Sequence, residues 1–340
     1  MKKSFHLLYP IEINSLSKEF GKVKALDNIS LQVQEGEIFG FLGPNGAGKS
    51  TTMMILTTLL KPSSGKAMVA GFDVFSQAKD VRKNIGYVQQ EISVDEYLTG
   101  RENLILQARL NHIPKNLVEK RINEMLDLVE LTDRQNDAVI TYSGGMRKRL
   151  DLAGGLLHRP KVLFLDEPTV GLDIQTRRKI WEFVRKTHQE FGMTIFLSTH
   201  YMEEADNLCD RIAIIDYGKI QVIETPSTMK NALGNEIIAF SIENDKGKSE
   251  DLLSKIKEIE FVKDISTRND IITVFSSRGT EVIPKIFQFS SNLGIKIKSI
   301  SLTQPSLDDV FISYTGRELR DDTTNFNMKK EHAKMTRIRS

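Results

Sequence analysis

The N-terminal part of the chain contains two patterns of apolar residues: alternation with polar residues, and runs that are almost wholly apolar. From residue 11 to 41 the period is two, and we expect short half-buried strands there with turns at Gly21 and Asp27–Asn28. The runs EIFGFLG, KVLFLDEP and MTIFLSTH are almost wholly apolar, which is typical of parallel strands covered on both faces. RIAIIDYGKIQVIE predicts a hairpin that turns at Tyr217 and Gly218. The pattern therefore predicts an α/β fold with a mixed sheet.

Helical periodicity dominates between residues 91 and 158. In VEKRINEMLDLVEL apolar residues recur at helical spacing, and we interpret the whole range as a helical subdomain. KSTTMMILTTLL predicts another helix, which continues until Lys61 and Pro62 stop it. A last helix is expected to begin with Pro305, because proline is favoured in the first helical turn.

The order of elements changes near residue 228. From Ile237 to Gln304 the pattern predicts strand, helix, strand, strand, helix and strand, the order of a small α+β ferredoxin-like domain. We expect the first domain to span residues 11–230 and the small C-terminal domain residues 236–318. The polar residues 321–340 predict a disordered tail.

Composition argues against three classes of protein: nucleic-acid-binding, disulfide-stabilised and membrane-spanning proteins. The 340 residues are 40% hydrophobic and 27% charged, as in a globular protein, and the net charge of +2 predicts no nucleic-acid partner. Cys209 is the single cysteine, which excludes an internal disulfide framework and fits a reducing compartment. We interpret the N-terminal residues as mature protein, since their apolar stretch is short. No apolar run reaches the roughly 18 residues that span a bilayer, so another chain would have to provide a membrane span.

The strongest chemical motif is the glycine loop that follows EIFGFLG. GPNGAGKST matches G-x-x-x-x-G-K-[ST] between a predicted strand and a predicted helix. Its glycines let backbone N–H groups point inward, and the helix start adds partial positive charge. Lys49 would contact the β- and γ-phosphates of a nucleotide, Thr51 would lie on the α-phosphate side, and the Ser50 hydroxyl would ligate Mg²⁺. The predicted nucleotide-binding residues are Gly43, Pro44, Asn45, Gly46, Ala47, Gly48, Lys49, Ser50 and Thr51.

Two acidic residues end the strand VLFL. Asp166 and Glu167 lie where open α/β sheets place their ligand sites, at the carboxyl end of a strand. Asp166 is a candidate partner of Mg²⁺ beside Ser50, and Glu167 is a candidate to orient or deprotonate an attacking water. His200 ends MTIFLSTH, so we expect it beside Glu167 at the γ-phosphate. The set predicts a hydrolytic site.

A second anion site is predicted at YSGGMRKRL. Ser143 would cap a helix, and the N–H groups of Gly144 and Gly145 would face an anion. The motif lies in the helical subdomain, away from the sheet edge of Lys49, so one chain would not bring both loops onto one phosphate. Two chains arranged head to tail would do so, which predicts a dimer that closes around nucleotide.

The ordered set GPNGAGKST, IGYVQQ, YSGGMRKRL, VLFLDEP, VGLD and STH resembles the ATP-binding subunits of ABC transporters. The resemblance implies a P-loop ABC ATPase domain over residues 11–230, with ATP as substrate and Mg²⁺ as cofactor. It further implies that Phe20 stacks on adenine, that Gln90 contacts Mg²⁺ and the attacking water, and that Asp173 communicates across the dimer. DEYLTGRENL and PSLDDVFISYTGRELRDD resemble the daunorubicin-resistance type, which pairs with a separate permease.

This resemblance implies an ATP-hydrolysing motor that drives a multi-span membrane permease to export drugs, lipids or other amphiphiles. We expect a dimer in the cytoplasm, on the inner face of the cell membrane. Two identical copies are favoured, and a pair with a different ATPase subunit is the alternative. Residues from Glu91 to Arg109 would line the cleft that receives a permease helix. The alternative is a soluble ABC-type ATPase acting on a cytosolic assembly, against which stands the lack of a long coiled coil between Gln90 and Ser143. The unit at 237–304 would either stabilise the dimer or sense a ligand.

Overall fold

The computed structural model describes residues 9–243, 249–268 and 271–315. The tail predicted to be disordered, 321–340, lies outside these residues. The described chain forms two compact units and passes from the first to the second between Ile223 and Glu224. Within the described ranges, none of the helices has both the length and the apolar character needed to cross a bilayer.

The first unit contains two sheets and the helices that connect their strands. Its described strands are β1 (Ile11–Phe20), β2 (Val23–Val33), β3 (Ile38–Leu42), β4 (Ser64–Val69), β5 (Phe72–Asp73), β6 (Ile85–Val88), β7 (Val162–Asp166), β8 (Thr194–Thr199), β9 (Arg211–Asp216) and β10 (Lys219–Glu224). Its described helices are α1 (Lys49–Leu56), α2 (Ala78–Asn84), α3 (Gly100–Leu110), α4 (Lys115–Leu128), α5 (Gly144–Leu156), α6 (Ile174–Phe191) and α7 (Met202–Leu208). Short 3₁₀ turns occupy Thr132–Arg134 and Val139–Thr141. The side-by-side strand orders are β10-β9-β3-β8-β7-β6 and β2-β1-β4-β5.

The larger sheet positions the candidate site. β3, β7 and β8 are buried at every position and pair in parallel, as their continuous apolar runs predicted. The rings of Phe39, Phe41 and Phe164 pack around Phe196, with centroids 5.5 to 5.8 Å apart. Since parallel strands end at one edge, the residues that follow β3, β7 and β8 meet there.

The first two strands are longer than the sequence predicted. β1 and β2 span ten and eleven residues, and Asp27–Asn28 lies inside β2 rather than in a turn. Asn28 and Ser15 have φ of 55° and 50°, and the β1–β2 register shifts along this stretch. The Ser17 hydroxyl accepts from Asn28 N, and the Ser30 hydroxyl accepts from Ser15 N, each at 2.9 Å. These side chains replace ladder bonds, so both strands continue through bulges. The predicted turn at Gly21 is confirmed.

Helix α1 ends at Leu56, earlier than predicted. Thr57 donates its hydroxyl to the carbonyl of Met53 at 2.8 Å, and Thr58 leaves the helix with φ of 67°. The Met53 carbonyl thus accepts from both the N–H and the hydroxyl of Thr57, and the chain turns before Lys61. Helices α3, α4 and α5 confirm the predicted helical range 91–158. The predicted hairpin turn is also confirmed, because Tyr217 and Gly218 connect β9 to β10.

The second unit confirms the predicted ferredoxin-like order. Its described strands are β11 (Glu236–Ile242), β12 (Val262–Arg268), β13 (Ile271–Ser276) and β14 (Ile297–Thr303). Its described helices are α8 (Pro226–Leu233), α9 (Ser249–Lys257), α10 (Gly279–Leu293) and α11 (Leu307–Thr315). The sheet is antiparallel with the order β12-β13-β11-β14, and its apolar core includes residues of α9 and α10.

Helix α11 begins at Leu307 rather than at Pro305, which corrects the sequence prediction. Ser306 stands immediately before the helix. Its hydroxyl accepts from Asp309 N at 3.2 Å, while its own N–H donates to the Asp309 carboxylate at 2.9 Å. This reciprocal pair caps the helix, and Pro305 therefore precedes the first turn instead of forming it.

Candidate nucleotide site

The glycine loop connects β3 to α1. Gly43 N donates to Thr199 O at 3.2 Å, and a Cβ at Gly43 would lie 2.3 Å from Ile215 O, so no side chain fits there. Gly46 and Gly48 have φ of 81° and 111°, in the region that favours glycine. Backbone conformation and close packing on β9 therefore explain three of the motif's glycines. Asn45, Gly46 and Ser50 are exposed, while Ala47 and Lys49 are buried.

Lys49, the first residue of α1, places its ammonium within the loop. Nζ donates to Gly43 O at 2.8 Å and Pro44 O at 3.1 Å, and lies 3.0 Å from Glu167 Oε1. The side chain is only 4% exposed. A buried cation and a helix N-terminus next to glycine N–H groups suit phosphate binding. The loop and Lys49 are therefore suited to the predicted phosphate contacts, and the assignment of residues 43–51 to nucleotide binding stays a prediction.

Glu167 follows β7 and is held from three sides. Its φ is 45°, and its N–H donates to the carbonyl and hydroxyl oxygens of Ser198 at 3.1 and 3.2 Å. His200 Nδ1 lies 3.2 Å from Oε2, and Lys49 contacts Oε1. Burial opposes ionisation, but the nearby His200 ring and the Lys49 charge together lower the pKa of Glu167. The structure therefore brings Lys49, Glu167 and His200 together, with Glu167 ionised.

Asp166, the last residue of β7, lies beside Glu167 and is buried. The Ser198 hydroxyl donates to its carboxylate, and the Tyr87 hydroxyl also bonds it. Burial raises the pKa of Asp166, and burial together with the nearby Asp166 charge raises the pKa of Tyr87 to about 12. A buried carboxylate whose charge is not fully compensated is a group that a cation would stabilise.

The candidate Mg²⁺ ligands are a hydroxyl, an amide and one carboxylate, from Ser50, Gln90 and Asp166. Mg²⁺ keeps several waters and takes its other ligands from substrate phosphates, so this small oxygen set fits it. In the described part of the chain, no cluster of three His, Cys, Asp or Glu residues offers a metal site made by the protein alone. The residues present therefore fit a cation that arrives with the nucleotide.

Gln90 and Phe20, two further residues predicted to contact the nucleotide or its Mg²⁺, are both exposed. Gln90 is exposed in the segment after β6, and its carbonyl oxygen lies 3.5 Å from the Lys148 ammonium. Phe20 ends β1 with 47% of its surface exposed, and the Lys18 ammonium lies 4.9 Å from its ring centroid. An exposed ring of this kind is accessible for stacking, so the geometry is compatible with its predicted role.

Ser143, Gly144, Gly145 and Asp173 form a separate group, which we call the signature group. Ser143 caps α5 by accepting from Met146 N at 3.3 Å, and Asp173 caps α6 by accepting from Thr176 N at 3.0 Å. The hydrogen bonds from Thr176 lower the pKa of Asp173. A Cβ at Gly145 would lie 2.6 Å from the Thr176 methyl carbon, so the two caps are neighbours. Ser143, Gly144 and Asp173 are exposed.

The sequence reasoning did not identify a buried ion pair on α5. Lys148 and Asp151 have side chains only 3% and 4% exposed, and Lys148 Nζ lies 3.6 Å from Asp151 Oδ2. Lys148 donates to Gln89 O at 2.6 Å, and the Ser93 hydroxyl donates to Asp151 at 2.5 Å. Burial lowers the pKa of Lys148 and raises that of Asp151. The sequence does contain a signal for this pair, since Lys148 and Asp151 are opposite charges three residues apart among the apolar residues of a predicted helix.

Glu204 on α7 was also missed. It is fully buried, and its Oε1 accepts from Thr169 Oγ1 at 2.8 Å and from Trp181 Nε1 at 3.0 Å. Burial raises the pKa of Glu204. Through these two hydrogen bonds, Glu204 connects α7 to Thr169, two residues after Glu167, and to Trp181 on α6. The sequence YMEEAD gave no signal for it, because acidic residues are common on the exposed first turn of helices.

Comparison with known proteins supports the motif resemblance. The family model described as ABC transporter matches residues 26–170, and the model described as ATP-binding protein DrrA1-3-like, C-terminal domain, matches residues 225–315. The chain is 39% identical to the daunorubicin resistance ATP-binding protein DrrA2 of Streptomyces coeruleorubidus, covering 91% of this chain and 95% of that protein. It is 35% identical to the linearmycin resistance ATP-binding protein LnrL of Bacillus subtilis (strain 168), covering 92% and 100%. It is also 35% identical to the Nod factor export ATP-binding protein I of Sinorhizobium fredii, covering 92% and 87%.

Solved structures agree on the first unit. CbiO1 of Clostridium perfringens, part of the ABC transporter complex cbiONQ, matches with a TM-score of 0.61 and 27% identity over 65% of this chain and 90% of that chain. The ATP-binding cassette MJ0796, a dimer in a post-hydrolysis state bound to ADP and Pi, matches with a TM-score of 0.57 and 28% identity over 63% and 98%. The chain therefore belongs to the ABC transporter family, as an ATP-binding and ATP-hydrolysing protein of the DrrA-like type.

Proposed function

We propose that this chain is the ATP-driven motor of an exporter. The observation that carries the proposal is Glu167, ionised between Lys49 and His200 beside the phosphate loop. The names of the relatives support the direction of transport, since they describe resistance to daunorubicin and linearmycin and export of Nod factor. The cargo class we infer is a drug, a lipid or another amphiphile.

Hydrolysis would use the arrangement around Glu167. Phosphates entering the loop would compete with Glu167 for the Lys49 ammonium, because both carry negative charge. Glu167 would then be free to orient or deprotonate the attacking water, while His200 keeps contact with Oε2 and faces the γ-phosphate. Mg²⁺, when held by Ser50, Gln90 and Asp166, would neutralise charge on the phosphates.

Dimerisation would complete each site. Ser143, Gly144 and Asp173 are exposed, and a Cβ at Gly145 would lie against Thr176 of α6. In a head-to-tail dimer of two identical chains, each nucleotide would lie between the Lys49 loop of one copy and Ser143 of the other. Closure would then depend on ATP, because only the closed state gives the nucleotide both sets of contacts. The dimeric solved relative with ADP and Pi supports this arrangement.

A multi-span permease would dock in a cleft beside the Gln90 segment, by which we mean residues 89–96. A cavity of about 170 Å³ lies between β6, this segment, α3 and α5. Its polar lining includes Ser93, Asn103, Gln107, Asn111, Asp151 and His158. We infer that one side chain of a cytoplasmic permease helix inserts here, which would hold the motor on the inner face of the membrane.

Purification of the tagged full-length chain from detergent-solubilised membranes tests the proposal. Mass spectrometry is expected to identify a polytopic membrane protein in stoichiometric amount. Gln107→Trp, which would fill the cavity, is expected to lose that partner and keep nucleotide binding. Lys120→Trp, at an exposed position of α4, is the matched control and should keep both. Recovery with a cytosolic assembly alone would overturn export and favour the soluble ATPase alternative.

A further inference from the structure

The Gln90 segment is fastened to the first two turns of α5 by a buried polar cluster. Lys148 Nζ donates to the carbonyl of Gln89 at 2.6 Å and lies 3.5 Å from that of Gln90. One turn later, Asp151 accepts from the Ser93 hydroxyl at 2.5 Å and pairs with Lys148 at 3.6 Å. One ion pair on α5 therefore contacts the segment on both sides of Gln90.

A second contact continues the attachment at the protein surface. Arg147 pairs with Glu96 at the far end of the segment and donates to the carbonyl of Ile140 at 2.9 Å. Arg147 lies four residues after Ser143, on the same helix. The segment is thus attached along its length to the element whose N-terminus carries the signature group.

The burial of Lys148 and Asp151 is difficult to explain by stability alone. Desolvating two charges costs more than their attraction usually returns, and apolar residues of similar volume are often as stable. The Lys148 donors, however, reach backbone carbonyls, which an apolar side chain could not hold. Asp151 keeps the ammonium in place and also contacts Ser93, so the pair fixes backbone positions 89 and 90 in a way that packing would not.

We propose that Lys148 is a positioning residue for ATP hydrolysis, which holds the backbone at Gln89 and Gln90 against the helix that begins at Ser143. The inference rests on the role of Gln90 in the proposed function. Its ammonium binds the backbone carbonyls of Gln89 and Gln90, and it therefore sets where the Gln90 side chain can reach. Because the same ammonium is part of α5, displacement of the Gln90 segment and displacement of the signature group are linked.

Steady-state ATPase kinetics of the full-length chain test this positioning role. Lys148→Met is expected to lower kcat roughly 10- to 100-fold with the KM for ATP changed less than about twofold, because misplacement of a catalytic group affects turnover more than binding. Lys148→Arg, which keeps charge and donors, is expected to restore most of the lost kcat. Lys120→Met, an exposed lysine on α4, is the matched control and should leave kcat unchanged.

A double-mutant cycle separates positioning from a structural effect. If Lys148 acts through Gln90, Lys148→Met should reduce kcat less than about twofold further in a Gln90→Ala background. Equal fold-losses in both backgrounds would overturn the proposal, as would equal losses in Lys148→Arg and Lys148→Met. Should Lys148→Met fail to fold, Asp151→Asn replaces it and is expected to lower kcat in the same cycle.

The same data distinguish this inference from the proposed function beneath it. An unchanged kcat in Gln90→Ala would show that the role given to Gln90 is wrong, and the positioning role would be overturned with it. A lowered kcat in Gln90→Ala with normal kcat in Lys148→Met would overturn the positioning role alone.

Discussion

Two adjacent glycines near the end of α5 give a prediction that can be worked through in numbers. In a helix each glycine costs about 1 kcal/mol relative to alanine, so Gly154 and Gly155 need a reason. A Cβ at Gly155 would lie 2.8 Å from Val88 Cγ2 on β6, and a Cβ at Gly86 would lie 2.3 Å from the Gly155 carbonyl oxygen. A Cβ at Gly154 would lie 3.3 Å from Gln107 Cγ. Close approach of α5 to β6 therefore accounts for Gly155 and Gly86, but not for Gly154.

The three alanine substitutions should differ in sign. Gly154→Ala gains about 1 kcal/mol of helix propensity and displaces only a flexible side chain, so the chain should be more stable by about 0.5 to 1 kcal/mol. Gly155→Ala gains the same amount but must displace a branched side chain of a strand, which costs about 1 to 3 kcal/mol and leaves it neutral or destabilised. Gly86→Ala gains about 0.5 to 1 kcal/mol from lower backbone entropy in the unfolded chain, but its methyl group would lie 2.3 Å from a backbone carbonyl oxygen that cannot move like a side chain, so it should be the least stable.

Urea denaturation, monitored by circular dichroism, measures the order of stability of the three variants. An unchanged dependence of the unfolding free energy on urea concentration would show that the same transition is compared. Gly154→Ala should also keep its ATPase activity, because its new methyl lies near α3 and not against β6. If Gly155→Ala were as stable as Gly154→Ala, the explanation by close packing of α5 on β6 would be refuted.

Three further predictions concern the site. Glu167→Gln is expected to keep ATP binding and to lower turnover roughly 10²- to 10⁴-fold, because a general base is lost. Nucleotide titration would measure binding, phosphate release would measure turnover, and gel filtration in ATP would measure dimerisation. Normal turnover would contradict the role of Glu167. Ser143→Arg should block ATP-dependent dimerisation while the monomer keeps its ATP affinity, and a lost affinity would argue against a site shared between chains. Burial raises the pKa of Glu204 above its ordinary 4.5, so its contribution to stability is greatest below pH 4.5 and falls as the pH rises toward the folded pKa. Glu204→Gln should flatten that decline in thermal melts, and an unchanged decline would exclude Glu204 as its source.

The buried strands and the residues that follow them were predictable because their signal is local. A parallel strand covered on both faces is a continuous apolar run, and the residue after it lies at the sheet edge. That reasoning placed Lys49, Glu167 and His200 near one another before any coordinates. It could not give the φ of 45° at Glu167, since glutamate has no sequence preference for the left-handed region.

The features that escaped prediction depend on partners far along the chain. The bulge at Asn28 exists because Ser17, eleven residues earlier, accepts its N–H. Nothing in the local sequence distinguishes Lys148 from an exposed basic residue, because the carbonyl that it binds belongs to Gln89, which is 59 residues away. Periodicity indicates which face of a helix or strand is buried, but it does not identify the polar atom of the neighbouring element that a buried side chain will contact.

The position of the single tryptophan has a practical consequence. Trp181 is 7% exposed on α6, and its indole N–H donates to the Glu204 oxygen that also accepts from Thr169, two residues after Glu167. Indole emission responds to changes in hydrogen bonding and local polarity, and no second tryptophan contributes a background. The wild-type chain thus contains its own fluorophore, which is hydrogen-bonded through Glu204 to the segment that follows Glu167. Stopped-flow emission would follow nucleotide arrival and phosphate departure in real time, with no dye attached.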